Sequence, residues 1–244
     1  MAPDAVARLK NQQKQWNQLA VADPLWAILA DPEKRNRRWD PEEFFATGRE
    51  EIVAVRKQAE KLGYPKTFHH AMDFGCGVGR NTQPLVEWFD RVTGVDISPA
   101  MLDLARKYNR VPSRCEYVLN AHDHLKTFPD ASFDFIYSRI VLQHLPTPQT
   151  RSYLREFLRI LRPSGLLLFQ LPSRHRDSLR YMLSRAYHRI ASTIFHIPDV
   201  IEMNGLPRET VIHELEMRGG RILEVTRDSG AGPDWESYLY AVTK

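Results

Sequence analysis

An acidic residue followed by alternate glycines is the most chemically specific feature of the sequence. In AMDFGCGVGRN, residues 71–81, Asp73 precedes Gly75, Gly77 and Gly79 and follows a short apolar run. Glycine adopts backbone conformations that other residues avoid, and it lets the main chain approach another group closely. The pattern therefore predicts either a tight corner or a turn that holds a dinucleotide, a phosphate or another cofactor.

Two familiar glycine-rich turns do not fit this stretch. The phosphate loop of nucleotide triphosphatases ends in Gly-Lys-Ser/Thr, whereas Gly79 is followed by Arg80 and Asn81. The dinucleotide fingerprint reads G-x-G-x-x-G, and counting from Gly75 puts Arg80 where the third glycine belongs. The pattern that does fit is D-x-G-x-G-x-G.

The elements around this turn alternate between strand and helix from His69 onward. HHAMDFG, RVTGVDIS, CEYVLN, SFDFIYSR and LLLFQL are predicted strands, and RNTQPLVEWF, SPAMLDLARKYN, TPQTRSYLREFLRILRPSG and LPRETVIHELEMRGG are predicted helices. Such alternation is typical of a parallel sheet. RILEVTRD and WESYLYAVTK are joined by a loop too short for a crossover helix, so we expect these last two strands to be antiparallel.

Four motifs in this order resemble those of the class I S-adenosylmethionine-dependent methyltransferases. The first is the glycine turn, and the second is Asp96 at the end of the second strand. FPDASFDFIYSRIVLQHLP is similar to the fourth-strand motif, and FLRILRPSGLLLFQLP is similar to the turn into the fifth strand, with Ser164 in place of a glycine. The resemblance implies an α/β fold with a Rossmann-like, seven-stranded, mostly parallel sheet, an antiparallel last strand and helices on both faces.

The same resemblance implies S-adenosylmethionine as the cofactor. Its ammonium and sulfonium groups suit Asp73, and Asp96 can accept from both hydroxyls of its ribose. At the adenine end, where these enzymes often have an aspartate, the sequence has Asn120 and Ala121, with His122 or Asp123 as substitutes. The predicted cofactor contacts are Asp73, Gly75, Cys76, Gly77, Gly79, Arg80, Asp96, Ile97, Met101, Asn120, Ala121, His122 and Ser138.

His144, after the fourth strand, is the predicted catalytic residue. Methyl transfer from a sulfonium depends mainly on alignment, but a hydroxyl nucleophile benefits from a base, and histidine suits that role. The alternative is a histidine that packs or caps the short helix before Pro146. The sequence lacks an Asp/Asn-Pro-Pro-aromatic motif, a Pro-Cys pair, paired glutamates after strand four and an acidic metal cluster. This favours small-molecule acceptors and predicts no metal.

The chain divides into two predicted parts. Residues 1–66 form a helical N-terminal cap, and residues 67–244 form the methyltransferase domain, with a substrate-cap insertion around 173–205. Aromatic residues of the cap are predicted to line a substrate chamber, or alternatively to attach the cap to the domain. The predicted substrate contacts are Trp26, Trp39, Phe44 and Gln143.

Composition places few further limits on function. The chain has 244 residues, 43% of them hydrophobic, and a formal net charge of +4. It lacks a membrane-spanning apolar run, a secretory leader and enough cysteines for a disulfide framework, so we expect a cytoplasmic protein. The stretch 173–189 has five arginines against one aspartate, which indicates a solvated helix face or a basic surface.

Several partners and functions remain open at this point. A small molecule is the favoured partner, nucleic acid is disfavoured, and a homodimer is compatible with the sequence. RNA or tRNA modification is one alternative function, because of the arginine-rich stretch. A non-catalytic methyltransferase-like binding protein is the other.

Overall fold

The structure is a computed structural model that describes residues 3–177, Leu179, Met182 and residues 203–244. Most of the predicted insertion around 173–205 lies outside the described residues. The helices are α1 Pro3–Ala22, α2 Pro24–Ile28, α3 Pro41–Leu62, α4 Pro99–Tyr108, α5 Thr147–Ile160 and α6 Arg208–Glu216. The strands are β1 His70–Phe74, β2 Arg91–Asp96, β3 Cys115–Leu119, β4 Phe133–Ser138, β5 Leu161–His175, β6 Arg221–Asp228 and β7 Trp235–Thr243.

The seven strands form one sheet in the order β3-β2-β1-β4-β5-β7-β6. Strands β1 to β5 pair in parallel, and β7 lies antiparallel between β5 and β6. The predicted Rossmann-like sheet with an antiparallel last strand is therefore confirmed. The strand order reverses between β1 and β4, and open α/β sheets bind ligands at the carboxyl ends of the strands at such a point.

Helices cover both faces of the sheet. On one face, Phe157 of α5 and Leu215 of α6 belong to the same buried cluster as Ile136 of β4. On the other face, Val55 of α3 packs in a cluster with Phe135. Successive strand residues point to opposite faces of the sheet, and helices cover both faces, so β1 and β4 are buried along their whole length. Packing on both faces therefore holds the ends of these two central strands in place.

The N-terminal helices have the ends that the sequence predicts. Asp40 caps α3 through its side chain, Pro41 is the first helical residue, and Gly63 ends the helix with a φ of 72°. Helix α3 packs on the sheet, whereas α1 and α2 lie against each other and α1 contacts α4. The division into a cap of residues 1–66 and a domain of residues 67–244 stays a prediction. In the described part of the chain, no helix is both long and apolar enough to cross a membrane.

The segment after the glycine turn is not the predicted α-helix. Residues 77–83 form turns, and Pro84–Glu87 is a 3₁₀ helix. Pro84 has no N–H for a helical hydrogen bond. The side chains of Asn81 and Thr82 instead bond carboxylates of α3 and β1. The turn is therefore stabilised by side-chain contacts rather than by a regular helix.

Strand β5 also begins earlier than the sequence predicts. Helix α5 ends at Ile160, and β5 starts at Leu161, whereas the prediction stopped the helix at the Pro-Ser-Gly sequence and began the strand after it. Ser164 lies inside this strand with a φ of 61°, the left-handed conformation that a glycine would adopt more easily. Ser164, which stands where the resembling family has a glycine, therefore adopts a backbone conformation that favours glycine.

Candidate active site

A cavity, called here the central cavity, lies at the carboxyl ends of β1, β2 and β4. Its glycine-turn side is formed by residues from Asp73 to Asn120: Asp73, Phe74, Gly75, Cys76, Gly77, Arg80, Asn81, Val95, Asp96, Ile97, Met101 and Asn120. Its β4 side is formed by α1 and the segment after β4: Leu9, Gln12, Trp16, Arg139, Ile140, Val141, His144 and Leu145. Ala27, Ile28 and Tyr153 complete the lining.

The glycine turn has backbone geometry that favours glycine at three positions. The φ angle is 78° at Gly75, 53° at Gly77 and 85° at Gly79, all in the left-handed region. The N–H of Gly75 donates to Val95 O at 2.7 Å, and the N–H of Gly77 donates to Asp96 Oδ2 at 2.9 Å. The turn is thus fixed to the end of β2.

Side chains of the protein pack closely over two of these glycines. A Cβ atom at Gly75 would lie 2.2 Å from Val141 Cγ2, and a Cβ atom at Gly77 would lie 2.6 Å from Ile28 Cδ1. Both distances are far below van der Waals contact. At Gly75 the close atoms include Val141 Cβ at 2.9 Å, so packing as well as backbone conformation requires glycine there. At Gly77 the close atom is the flexible end of the Ile28 side chain, and the backbone conformation is the main requirement.

Asp73 is buried beside the turn. The hydroxyl of Thr82 donates to its Oδ2 atom at 2.6 Å. Burial raises the pKa of Asp73 to about 7, against the opposing effects of that hydrogen bond and of the Arg80 charge. A buried carboxylate is costly unless it is paired, so a cation in the central cavity would favour its ionised form. Asp73 has the environment expected of a residue that binds an ammonium group.

Asp96 offers two carboxylate oxygens at the end of β2. Oδ2 accepts from Gly77 N at 2.9 Å, and Oδ1 accepts from Ser98 N at 2.8 Å. Burial raises the pKa of Asp96, although both backbone hydrogen bonds act in the opposite direction. Each carboxylate oxygen can accept more than one hydrogen bond. Asp96 can therefore accept from two neighbouring hydroxyls while it still holds the turn.

Asn120 is the residue that the structure brings to the predicted adenine end. Its backbone N–H donates to Asp96 O at 2.9 Å, and its Nδ2 donates to the Tyr153 hydroxyl at 3.2 Å. Asn120 and Tyr153 both line the central cavity. Ala121 and His122 follow in the sequence but do not belong to that lining.

His144 lies on the opposite side, in a short 3₁₀ turn after β4. Its ring contacts Trp16 of α1 edge-to-face, with centroids 5.6 Å apart, and its backbone oxygen accepts from Gln12 Nε2 at 3.0 Å. Its Nε2 atom is 3.2 Å from Nε2 of Gln143. Gln143 is buried outside the lining and accepts from Gln170. The turn that carries His144 is thus held from both α1 and β5.

A series of hydrogen bonds joins the two sides of the central cavity from behind. Glu51 of α3 accepts from Arg80 Nη2 at 2.8 Å and from the Tyr137 hydroxyl at 2.7 Å. Arg139 Nη2 lies 2.9 Å from an Asp228 oxygen. Burial acts to raise the pKa of Glu51, but the charges of Arg80 and Arg139 lower it overall. Both arginines are thereby held at the cavity in fixed positions.

The structure places most of the predicted cofactor contacts around this cavity. Asp73, Gly75, Cys76, Gly77, Arg80, Asp96, Ile97, Met101 and Asn120 all line it. Gly79 lies against Tyr117 of β3, and Ser138 is fully buried at the end of β4. These two residues, like Ala121 and His122, are outside the lining, so their contact with a cofactor stays a prediction.

The aromatic residues predicted to contact substrate lie in the N-terminal region, Trp26 in α2, Phe44 in α3 and Trp39 in the loop before α3. Trp26 donates from Nε1 to Asp31 O at 2.8 Å. Trp39 and Phe44 pack edge-to-face, with centroids 5.6 Å apart, in a cluster that includes Met101 of α4. These contacts match the alternative role of attaching the N-terminal helices to the domain. A substrate role for these three residues stays a prediction.

Sequence reasoning missed the face of α1 that lines the central cavity. Leu9, Gln12 and Trp16 are three and four residues apart, which places them on one face of a helix. That spacing was visible in the sequence, but nothing local showed which surface the face would cover. Arg139 was also missed, although its position directly after β4 was a signal.

The first comparison with known proteins concerns the central part of the chain. Residues 72–169 match the family described as Methyltransferase domain. This match, together with the fold, supports a class I S-adenosylmethionine-dependent methyltransferase domain over these residues. A demethylmenaquinone methyltransferase of Tropheryma whipplei (strain Twist) is 35% identical to the chain over 149 residues, covering 56% of this chain and 59% of the relative.

Further methyltransferases agree with this assignment. A trans-aconitate 2-methyltransferase of Azoarcus sp. (strain BH72) is 34% identical over 149 residues, covering 60% of this chain and 55% of the relative. The chain thus spans less than two thirds of the length of both curated relatives. The magnesium protoporphyrin IX methyltransferase of Synechocystis PCC 6803, solved with bound SAH, has a TM-score of 0.65 at 14% identity, covering 96% of this chain and 99% of that one. At 14% identity, this last similarity shows a shared fold.

Proposed function

We propose that this protein transfers a methyl group from S-adenosylmethionine to an oxygen or nitrogen nucleophile of a small molecule, such as a metabolite, a natural product or a sugar. The observation that carries the proposal is a single cavity with Asp73 and Asp96 on its glycine-turn side and His144 on its β4 side. Two relatives are named for small acceptors, demethylmenaquinone and trans-aconitate, which supports this class. A cytoplasmic location, a possible homodimer and a partner other than nucleic acid stay predictions.

The carboxylates of the glycine-turn side fit the polar groups of S-adenosylmethionine. Asp73 would pair with the ammonium group, because its buried carboxyl has one side-chain donor, Thr82, and gains most from a cation. Asp96 would accept from the ribose hydroxyls, and Ile97 and Met101 would contact the adenine. When bound, this cofactor supplies an electrophilic methyl group on a sulfonium.

The β4 side provides a base and a way to exclude water. His144 would accept the proton that a hydroxyl loses as it attacks the methyl group, or the proton that an amine loses once its nitrogen has been methylated, since imidazole is suited to this near neutral pH. Trp16 and Gln12 hold the ring and backbone of its turn, which limits the positions that the base can adopt. Leu9 and Val141 add apolar surface to the same side, which favours the exclusion of water from the reacting atoms.

The test is a screen with cofactor labelled in its methyl group, over small molecules with hydroxyl, amino or carboxylate groups. We expect label in at least one acceptor class. With that acceptor, His144→Ala should lower kcat by about 10²–10⁴-fold, the usual contribution of a base, and leave cofactor affinity unchanged. His69→Ala is the matched control, because His69 is exposed and bonded to Asp90 at the start of β1.

Two results would contradict parts of this proposal. Full turnover by His144→Ala on the same acceptor would exclude the role of His144 as a base while leaving methyl transfer intact. A folded protein that binds the cofactor but labels none of the acceptor classes would contradict small-molecule methyl transfer and support a non-catalytic binding protein.

A further inference from the structure

The β4 side of the central cavity has a permanent positive charge at Arg139. Within the part of the chain that the structure describes, the carboxylates of the lining are Asp73 and Asp96, and both belong to the glycine-turn side. A cationic acceptor on the β4 side would therefore meet a like charge, whereas an anionic acceptor would meet a partner. Such like-charge contacts are a common source of selectivity between ligands of similar shape.

We propose that the methyl acceptor carries a carboxylate that binds Arg139, and that Asp228 tunes this contact as an internal counter-ion. This inference rests on the proposed function and names the acceptor class of the same site.

The guanidinium of Arg139 is held in a position suited to this task. Its side chain is 23% exposed, and its Nη2 atom lies 2.9 Å from Asp228 Oδ2. An arginine has five N–H donors in a planar fork, so this contact leaves donors for a carboxylate. Arginine also stays charged at any working pH and matches carboxylate geometry better than lysine does.

Asp228 is itself held in place, so its negative charge stays at the same distance from Arg139. Its Oδ1 atom accepts from Gly230 N at 2.7 Å, and its side chain is 9% exposed. A carboxylate at this distance offsets part of the arginine charge. Removal of the Asp228 charge should therefore strengthen the binding of an anionic acceptor, provided that Arg139 contacts it.

Two variants that break the same ion pair separate this role from a structural one. Arg139→Gln removes the cation, and Asp228→Asn removes the counter-ion, so a purely structural ion pair predicts similar effects from both. The proposed role predicts opposite effects on the KM of a carboxylate acceptor. Arg174→Gln is the control, because Arg174 is 74% exposed and pairs with Glu236 at 2.7 Å outside the lining of the central cavity.

The assay uses matched acids, primary amides and amines that share one hydroxylated skeleton, with methyl-labelled S-adenosylmethionine, so that the hydroxyl can take the methyl group in every compound and lose its proton to His144. We expect the acids to be the preferred acceptors. Arg139→Gln should raise the KM for the acid by about 10- to 100-fold, the loss of a charge-assisted hydrogen bond, and leave the KM of the amide unchanged. Asp228→Asn should lower the KM for the acid, and Arg174→Gln should not change it.

Several outcomes would overturn the proposal. Preferred methylation of the amines or amides would do so, as would a rise in KM for the acid in both Arg139→Gln and Asp228→Asn. If no skeleton is methylated, the same acids are tested for a rise in Tm of the protein loaded with S-adenosylhomocysteine, and the absence of any rise also overturns it. Failure of the proposed function is recognised separately, by calorimetry that shows no binding of S-adenosylmethionine.

Discussion

Substitution of Gly75 by alanine tests whether the glycine turn is required by packing as well as by backbone conformation. Gly75 has a φ of 78°, and a Cβ there would lie 2.2 Å from Val141 Cγ2. Gly219, at the end of α6, has a φ of 83° and no heavy atom within 4 Å of the same position. Gly219→Ala therefore measures the backbone cost alone, and Gly75→Ala measures the backbone and packing costs together.

The expected magnitudes follow from these two environments. A left-handed conformation costs an alanine about 1–2 kcal/mol, and this cost applies to both variants. The close contact with Val141 adds an overpacking cost of about 1–3 kcal/mol at Gly75. We therefore expect the free energy of unfolding to fall by about 1–2 kcal/mol in Gly219→Ala and by about 2–5 kcal/mol in Gly75→Ala.

The measurement is urea unfolding of both variants, with the double variant Gly75→Ala/Val141→Ala as a further test. Truncation of Val141 removes its Cγ1 and Cγ2 atoms, the two nearest to the new Cβ, and leaves its Cβ 2.9 Å away, so the two substitutions should be coupled by about 1 kcal/mol or more. Equal destabilisation in Gly75→Ala and Gly219→Ala would refute the packing argument. Strict additivity in the double variant would refute it independently.

Three further predictions concern charged residues. Asp96→Asn replaces an acceptor oxygen by an N–H donor that faces a backbone N–H, so calorimetry should show a cofactor affinity lowered by about 10- to 100-fold, and an unchanged affinity would contradict the role of Asp96. Because burial raises the pKa of Asp73 to about 7, cofactor affinity should rise as the pH increases through 7, whereas the stability of the free protein should fall as the pH rises from about 4 to about 7. Asp73→Asn should remove both dependences, and a variant that retains them would exclude Asp73 as their source. Glu51→Gln leaves the buried Arg80 without its carboxylate partner and should lower the free energy of unfolding by about 3–5 kcal/mol, measured by chemical unfolding. Glu42→Gln, at an exposed carboxylate, should leave Tm unchanged. Equal Tm values for the two variants would contradict a stabilising role for the hydrogen bonds of Glu51.

The parts of the fold that could be predicted are those with local signals. The ends of α3 follow from Asp40, Pro41 and Gly63, because capping depends on residues adjacent in sequence. The segment around Pro84 was predicted wrongly as a helix. Its conformation depends on Thr82 and its neighbours bonding distant carboxylates, which no local pattern shows.

The candidate site likewise has some features that the sequence could predict and others that it could not. Asp73 and Asp96 could be brought together from sequence, because they end adjacent parallel strands and so lie at one edge of the sheet. The contact of Trp16 with His144 spans more than a hundred residues and depends on where α1 packs. The role of Arg139 likewise depends on Asp228 of β6, whose approach is set by the sheet order.

The measurement that tests the central claim most directly is calorimetric titration of S-adenosylmethionine into the full chain. The pH is set above the Asp73 pKa of about 7, so that this carboxylate is ionised. Wild-type protein and Asp96→Asn are compared under the same conditions. We predict saturable binding of one cofactor per chain, and clearly weaker binding by the variant. The absence of binding by the folded wild-type protein, or equal affinity in both proteins, would contradict the assignment of the central cavity as the cofactor site.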